Sequence, residues 1–221
     1  MTIEARLNTG IIKNYEEAKK YLCVRVRNVS AITEADVVYR EYGDLALTYH
    51  IVIGDDEDEI ASILITGPLL EYYGIDREQL HKDALNNSQK LYPACLSSLF
   101  GMVETGGKPQ PINPEAIPED PVLVLTNSII SHGASTLFYP DVMEMLAKAL
   151  GDYFVIPSSV HEVLILADDG AFCYEDLQNM VQSVNRFEVA QADQLSDFVY
   201  HYQAATGAFE SAYDYAARQA G

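Results

Sequence analysis

Two segments of this chain carry apolar patterns of strand length joined by nothing longer than a turn, and that arrangement limits the fold more than any other feature. In DLALTYHIVI, residues 44–53, side chains Leu45, Leu47, Tyr49, Ile51 and Ile53 fall on one face of an extended chain. The acidic stretch GDDEDE follows, and then a second strand pattern, IASILIT, at 60–66. The same design recurs as YFVI and VHEVLILA, meeting at Pro157, Ser158 and Ser159. Strands joined this tightly run antiparallel, and strands and helices do not alternate regularly as they would in a doubly wound fold. The expected class is α+β, a mainly antiparallel sheet of hairpins with helices packed on it.

Helical periods fill the intervals. Asn14 with Glu17 forms a capping-box pattern opening a helix to about Leu22, after which CVRVRNV alternates as a half-exposed strand. PLLEYYG reads as a turn of helix, and Asp76 with Gln79 opens a helix bearing Leu80, Ala84 and Leu91. In the second half, VLVLT and ASTLFY (134–139) read as strands. Asp141 and Glu144 cap a helix whose Val142, Met145, Leu146, Ala149 and Leu150 share one face until Gly151 ends it. Two further stripes, Leu177, Met180, Val181 and Val184, then Leu195, Phe198, Val199 and Tyr202, predict two more helices. Between the halves, residues 104–121 hold five of the nine prolines, each removing a backbone donor and restricting its predecessor. The expected division is an α+β half at 1–103, a Pro-rich linker or loop at 104–121 and an α+β half at 122–221.

Four stretches together resemble a known family: DLALTYHIVI, HKDALNNSQKLYP, the run from GASTLFYPDV through PSSVHEVLIL, and DLQNMVQSVN followed by LSDFVYHY. They are similar to domain of unknown function 5688, an uncharacterised bacterial family, over roughly Val24 to Tyr202. The resemblance implies a protein of gut anaerobes, often carried on mobile elements, and implies no activity.

The chemistry offered by IPSSVHEV is two hydroxyls, an imidazole and a carboxylate within five positions, the parts of a nucleophilic site. The candidates are Ser158, Ser159, His161 and Glu162. On a strand, however, His161 and Glu162 point to opposite faces, and hydroxyls after a proline commonly form turns. No catalytic residue is therefore assigned. If apolar residues line both faces of this strand, His161 or Glu162 must find a partner inside or escape at its end.

The acidic tip offers Asp55, Asp56 and Asp58 as weak divalent-cation ligands, but the run lacks the glycine and ligand spacing of an EF-hand loop. H-E-x-x-H, phosphate-loop, dinucleotide and G-x-S-x-G patterns are absent, so no metal site and no cofactor is expected. The aromatic residues of the C-terminus, Phe198, Tyr200, Tyr202, Phe209, Tyr213 and Tyr215, suit either core packing or a partner surface.

Charge narrows the partners. Asp and Glu number 33 against 14 Lys and Arg, a formal net charge of −19, which repels phosphate backbones and anionic membranes and favours a protein partner with a basic surface. Three scattered cysteines, Cys23, Cys95 and Cys173, and no apolar run of about 18 residues lead us to expect a cytoplasmic protein without a membrane segment. The leading functional expectation is a non-enzymatic, acidic protein-binding or regulatory factor of a bacterial mobile element. The alternatives are a hydrolase built around Ser159 and His161, and a nucleic-acid mimic that inhibits a host nuclease.

Overall fold

The computed structural model describes residues 9–56, 59–104 and 106–219. Its first sheet comprises β1 (Leu22–Asn28), β2 (Tyr39–Tyr42), β3 (Leu45–Asp56) and β4 (Glu59–Leu64). β3 is central, with β1 along one side and β2 and β4 in succession along the other, all antiparallel. The alternation in the sequence decides the faces. Leu22, Val24 and Val26 of β1 lie opposite Ile51, Tyr49 and Leu47 and are buried, while Cys23, Arg25 and Arg27 pair with His50, Thr48 and Ala46.

Helices α1 (Tyr15–Ala18), α2 (Gly67–Tyr73) and α3 (Arg77–Leu91) flank this sheet. The first is only a turn long and continues as a 3-10 turn, Lys19–Tyr21, although Asn14 caps it as expected. α3 closes the free edge of β1: Ser88 Oγ accepts the Val24 N–H at 2.8 Å, and Asn87 Nδ2 donates to Leu22 O at 2.8 Å. Polar residues inside a helix thus satisfy an otherwise open strand edge.

The second sheet comprises β5 (Ala94–Ser98), β6 (Leu123–Asn127), β7 (Tyr153–Ser159), β8 (Glu162–Ala167), β9 (Tyr200–Gln203) and β10 (Ala208–Ser211). Its order is β10-β9-β7-β8-β6-β5, antiparallel throughout, which makes the fold α+β as expected. A short helix, α4 (Leu99–Glu104), follows β5. One face, with Tyr153, Val155, Val163 and Ile165, shares a continuous core with Leu45, Leu47 and Tyr49 of the first sheet and with Leu146 of α5 (Val142–Leu150). The other face packs Phe154, Ile156 and Leu166 under Leu177 and Val181 of α6 (Tyr174–Phe187) and Ala212 of α7 (Ala212–Gln219).

The Pro-rich stretch runs beside β5 and is bonded to it, with Leu96 N–H donating to Gln110 O at 2.9 Å and Ile112 N–H to Ala94 O at 3.1 Å. β5 lies before this stretch in sequence yet belongs to the second sheet, so sheet membership changes at Ala94. A tight turn at Gly43 also ties the sheets together. The Asp44 carboxylate accepts from Asn28 Nδ2 at 2.7 Å, from Ser196 Oγ at 2.9 Å and from the Tyr200 hydroxyl.

Three local readings are corrected. ASTLFY is not a strand: Gly133–Phe138 is a 3-10 helix, buried at every position, in which Ser135 Oγ and Thr136 Oγ1 donate to carbonyls three residues back, His132 O and Gly133 O. Hydroxyls that bond back to the chain compete with a strand ladder. The stripe from Leu195 to Tyr202 is not a helix either. Ser196 Oγ accepts the Phe198 N–H at 2.9 Å to form a turn, and Tyr200–Gln203 then pairs with β7. Finally, Pro157, Ser158 and Ser159 belong to β7 across a register shift, and the corner itself is Val160 and His161.

Candidate functional site

The corner between β7 and β8 gathers the candidate residues differently from their order in the chain. Ser159 is buried, and its Oγ accepts the His161 backbone N–H at 3.0 Å. The His161 ring turns elsewhere: Nδ1 accepts the His132 N–H at 3.3 Å, and Nε2 lies 3.4 Å from Asp193 Oδ1. A ring nitrogen accepting from a backbone amide carries no proton, so the proton sits on Nε2 and faces the carboxylate. Ser159 Oγ makes no hydrogen bond to the imidazole. Ser158 and Glu162 are half-buried at the corner, and neither side chain hydrogen-bonds to a described residue.

The partner loop is held in an unfavourable backbone. Ile130 and His132 have φ of 54° and 51°, in the left-handed region that costs a β-branched or bulky residue of order 1–3 kcal/mol. Asn127, at the end of β6, over-determines this shape. Its Nδ2 donates to Ser131 O at 2.7 Å, and its Oδ1 accepts from Ile129 and Ser131 N–H, each at 3.2 Å. Thr126 Oγ1 donates to His161 O at 2.8 Å, which fastens the corner to the loop. Gly133 permits this contact, because a Cβ there would stand 2.2 Å from Thr126 Oγ1, 2.4 Å from His161 O and 2.7 Å from Asn127 N.

This arrangement sets the electrostatics. Burial lowers the His132 pKa to about 4, with nearby Arg25 and His161 adding to the shift. His50 is held well below its ordinary value, again by burial first and then by Arg25, His132 and Arg27. Its Nε2 lies 3.0 Å from Thr48 Oγ1 and its Nδ1 3.3 Å from Ser62 Oγ. His50 and His132 are therefore neutral at physiological pH and serve as hydrogen-bonding groups. No three His, Cys, Asp or Glu side chains among the described residues converge as metal ligands. Of the acidic-tip candidates, Asp55 and Asp56 pair through their backbones with Ile60 and Glu59, and Asp58 lies outside the described residues.

A second surface is apolar. Along α6, Leu177, Val181 and Asn185 are buried, whereas Met180, Val184 and Phe187 stay 45%, 39% and 73% exposed at helical spacing. Glu175, Asp176 and Glu188 flank this stripe in sequence. Of the C-terminal aromatics, Tyr200 and Tyr202 are core, Phe209 stacks on Tyr200 at 4.9 Å, and Tyr215 stacks on the fully buried His201. Phe198 and Tyr213 are exposed.

Residues 1–204 match a family of unknown function, DUF5688. The chain belongs to this family. No curated protein and no solved structure matches the chain. The family match takes in the corner, the strained loop, Asp193 and α6, and it ends before β10 and α7. No helix among the described residues of this DUF5688 chain is long and apolar enough to cross a membrane.

Sequence reasoning found Ser159 and His161 but missed Asn127, His132 and Asp193. The available signal was Asn127 directly after the apolar run VLVLT, a polar side chain where the strand pattern demands burial, followed by His132-Gly133. Asp193 lies in a polar segment with no pattern to mark it.

Proposed function

We propose that this DUF5688 protein is a non-enzymatic, cytosolic binding factor that engages a protein partner carrying a basic surface. The single observation that carries the reading is the α6 stripe, in which Met180, Val184 and Phe187 are exposed along the flank of the face that Leu177, Val181 and Asn185 already bury. Exposed apolar groups surrounded by polar residues mark contact surfaces, and aromatic anchors contribute disproportionately to binding. The net charge of −19 supplies the complement for a basic rim and steers association at low salt. The hydrolase alternative lacks comparable support, since both His161 ring nitrogens face partners other than Ser159.

The test places a photoreactive amino acid at Val184 and irradiates host lysate at low and moderate salt. A discrete adduct that fades with salt and disappears in Phe187→Asp protein is expected. An adduct pattern indifferent to Phe187→Asp, or identical to that from a probe at exposed Tyr72, overturns the reading.

A further inference from the structure

A cavity of about 320 Å³ lies where the end of β1 meets the segment 191–197, and its less exposed polar groups are one-sided. Apart from the exposed Gln191 amide, which hydrogen-bonds to no described residue, its side-chain donors are already used within the protein. Asn28 Nδ2 donates to Asp44 at 2.7 Å and to Leu195 O at 3.0 Å. Asn185 Nδ2 donates to Ser196 O at 2.8 Å and to Asp197 Oδ1 at 2.9 Å. Gln194 Nε2 donates to Asn185 O at 2.6 Å and to Val189 O at 3.1 Å, while the hydroxyls of Ser30 and Ser196 donate to Asn28 Oδ1 and Asp44. What these groups leave unused is acceptors.

The decisive group is Asn185, only 4% exposed. Its two Nδ2 acceptors fix the orientation of the amide, so Oδ1 points the other way. That oxygen accepts no hydrogen bond from any described residue, and it is not sealed from solvent as the unpartnered Arg27 and His201 nitrogens are. A buried amide of a cavity-lining residue with an unused carbonyl calls for a donor from outside. Gln194 Oε1 is likewise unpaired, and exposed Asp197 adds negative charge at the rim.

From these unused acceptors beside Asp197 we infer that the cavity binds an alkylammonium or guanidinium group. Such groups are all donor and no acceptor, and they carry the charge that Asp197 and the acidic molecule attract. The inference extends the reading of a basic partner and rests on it only for the source of the cation.

Titration of isotope-labelled protein with agmatine, with a capped Gly-Arg-Gly peptide and with urea as a neutral donor tests it. The side-chain amide signals of Asn185 and Gln194 provide the readout. Both cations should give saturable shifts, urea at the same concentrations should not, and binding should weaken about fivefold in Asp197→Asn, the scale of one exposed ion pair. Ala31→Trp, at an exposed position lining the cavity, should abolish binding while leaving the remaining spectrum folded. Tighter binding of agmatine assigns the site to a free amine, and tighter binding of the peptide assigns it to a partner's side chain. Shifts that do not saturate, that spread over the acidic surface, or that persist unchanged in both variants overturn the assignment. The Val184 cross-link succeeds or fails independently of this titration, so the two proposals are separately refutable.

Discussion

Replacing Gly133 by alanine is the sharpest probe of how the strained loop and the β7–β8 corner are joined. Gly133 does not adopt the left-handed conformation that favours glycine, so the penalty is steric rather than conformational. The added methyl would meet Thr126 Oγ1 at 2.2 Å, His161 O at 2.4 Å and Asn127 N at 2.7 Å, and two of these are backbone atoms of neighbouring elements that cannot rotate away. Overpacking of this kind costs roughly 1–3 kcal/mol. Relief requires the corner to move off Thr126, which breaks the 2.8 Å bond from its hydroxyl to His161 O and leaves buried groups unpaired, at about 1–3 kcal/mol more. The expected loss is about 2–6 kcal/mol out of a total of roughly 5–15 kcal/mol. At about 2–4 °C per kcal/mol for a chain of this size, Tm should fall by at least about 4 °C. Urea unfolding followed by circular dichroism measures the loss, with Gly67→Ala as control, because a Cβ at Gly67 meets nothing nearer than 3.8 Å. A Gly133→Ala protein within about 1 kcal/mol of wild type would refute the close-approach argument.

Asn127→Ala removes the three hydrogen bonds that hold residues 129–131 and should cost about 2–4 kcal/mol, with faster amide exchange at Ser131 as the local sign. His132, with a folded pKa lowered to about 4 against an ordinary value near 6.5, contributes stability that is complete above about pH 6.5 and is lost as pH falls toward 4, since the unfolded chain takes up the proton first. Urea midpoints measured against pH should therefore decline across that window, and less steeply in His132→Asn, a residue that tolerates the same left-handed backbone. Glu162→Ala should change stability by no more than about 0.5 kcal/mol, because the carboxylate sits half-buried at the corner with no hydrogen bond to a described residue. A melting shift of several degrees would mean that Glu162 satisfies a buried donor after all.

Local pattern and tertiary context divided the fold between them. The β3–β4 hairpin, α3 with its Asp76 cap on Gln79 N–H, and α5 ending at Gly151 were all readable, because period, cap and stop lie within one stretch of chain. α5 nonetheless starts without the expected cap bond, Asp141 adopting a left-handed φ of 67° instead. β8 is the central strand that its apolar residues required, with β7 and β6 on either side, and Glu162 escapes at its end. ASTLFY and the stripe from Leu195 to Tyr202 misled because their patterns are real and other forces override them. In the first, backbone-seeking hydroxyls tighten the chain into a 3-10 helix, and in the second, pairing with β7 claims the segment as a strand.

The candidate site shows the same division more sharply. The residues of IPSSVHEV by themselves determined a turn with a hydroxyl bonded to nearby backbone, and Ser159 makes that bond to the His161 N–H. Adjacent residues on an extended chain diverge, so their order cannot reveal what an imidazole faces. Only the tertiary structure brought the His132 amide and Asp193 to the two nitrogens of His161, and only it held the Asn185 amide between two acceptors at a cavity while leaving its carbonyl without a donor among the described residues. Strand and helix periods arise from contacts a few residues apart. The protonation state of a histidine, and the polarity a cavity presents, arise from groups that meet through the fold alone.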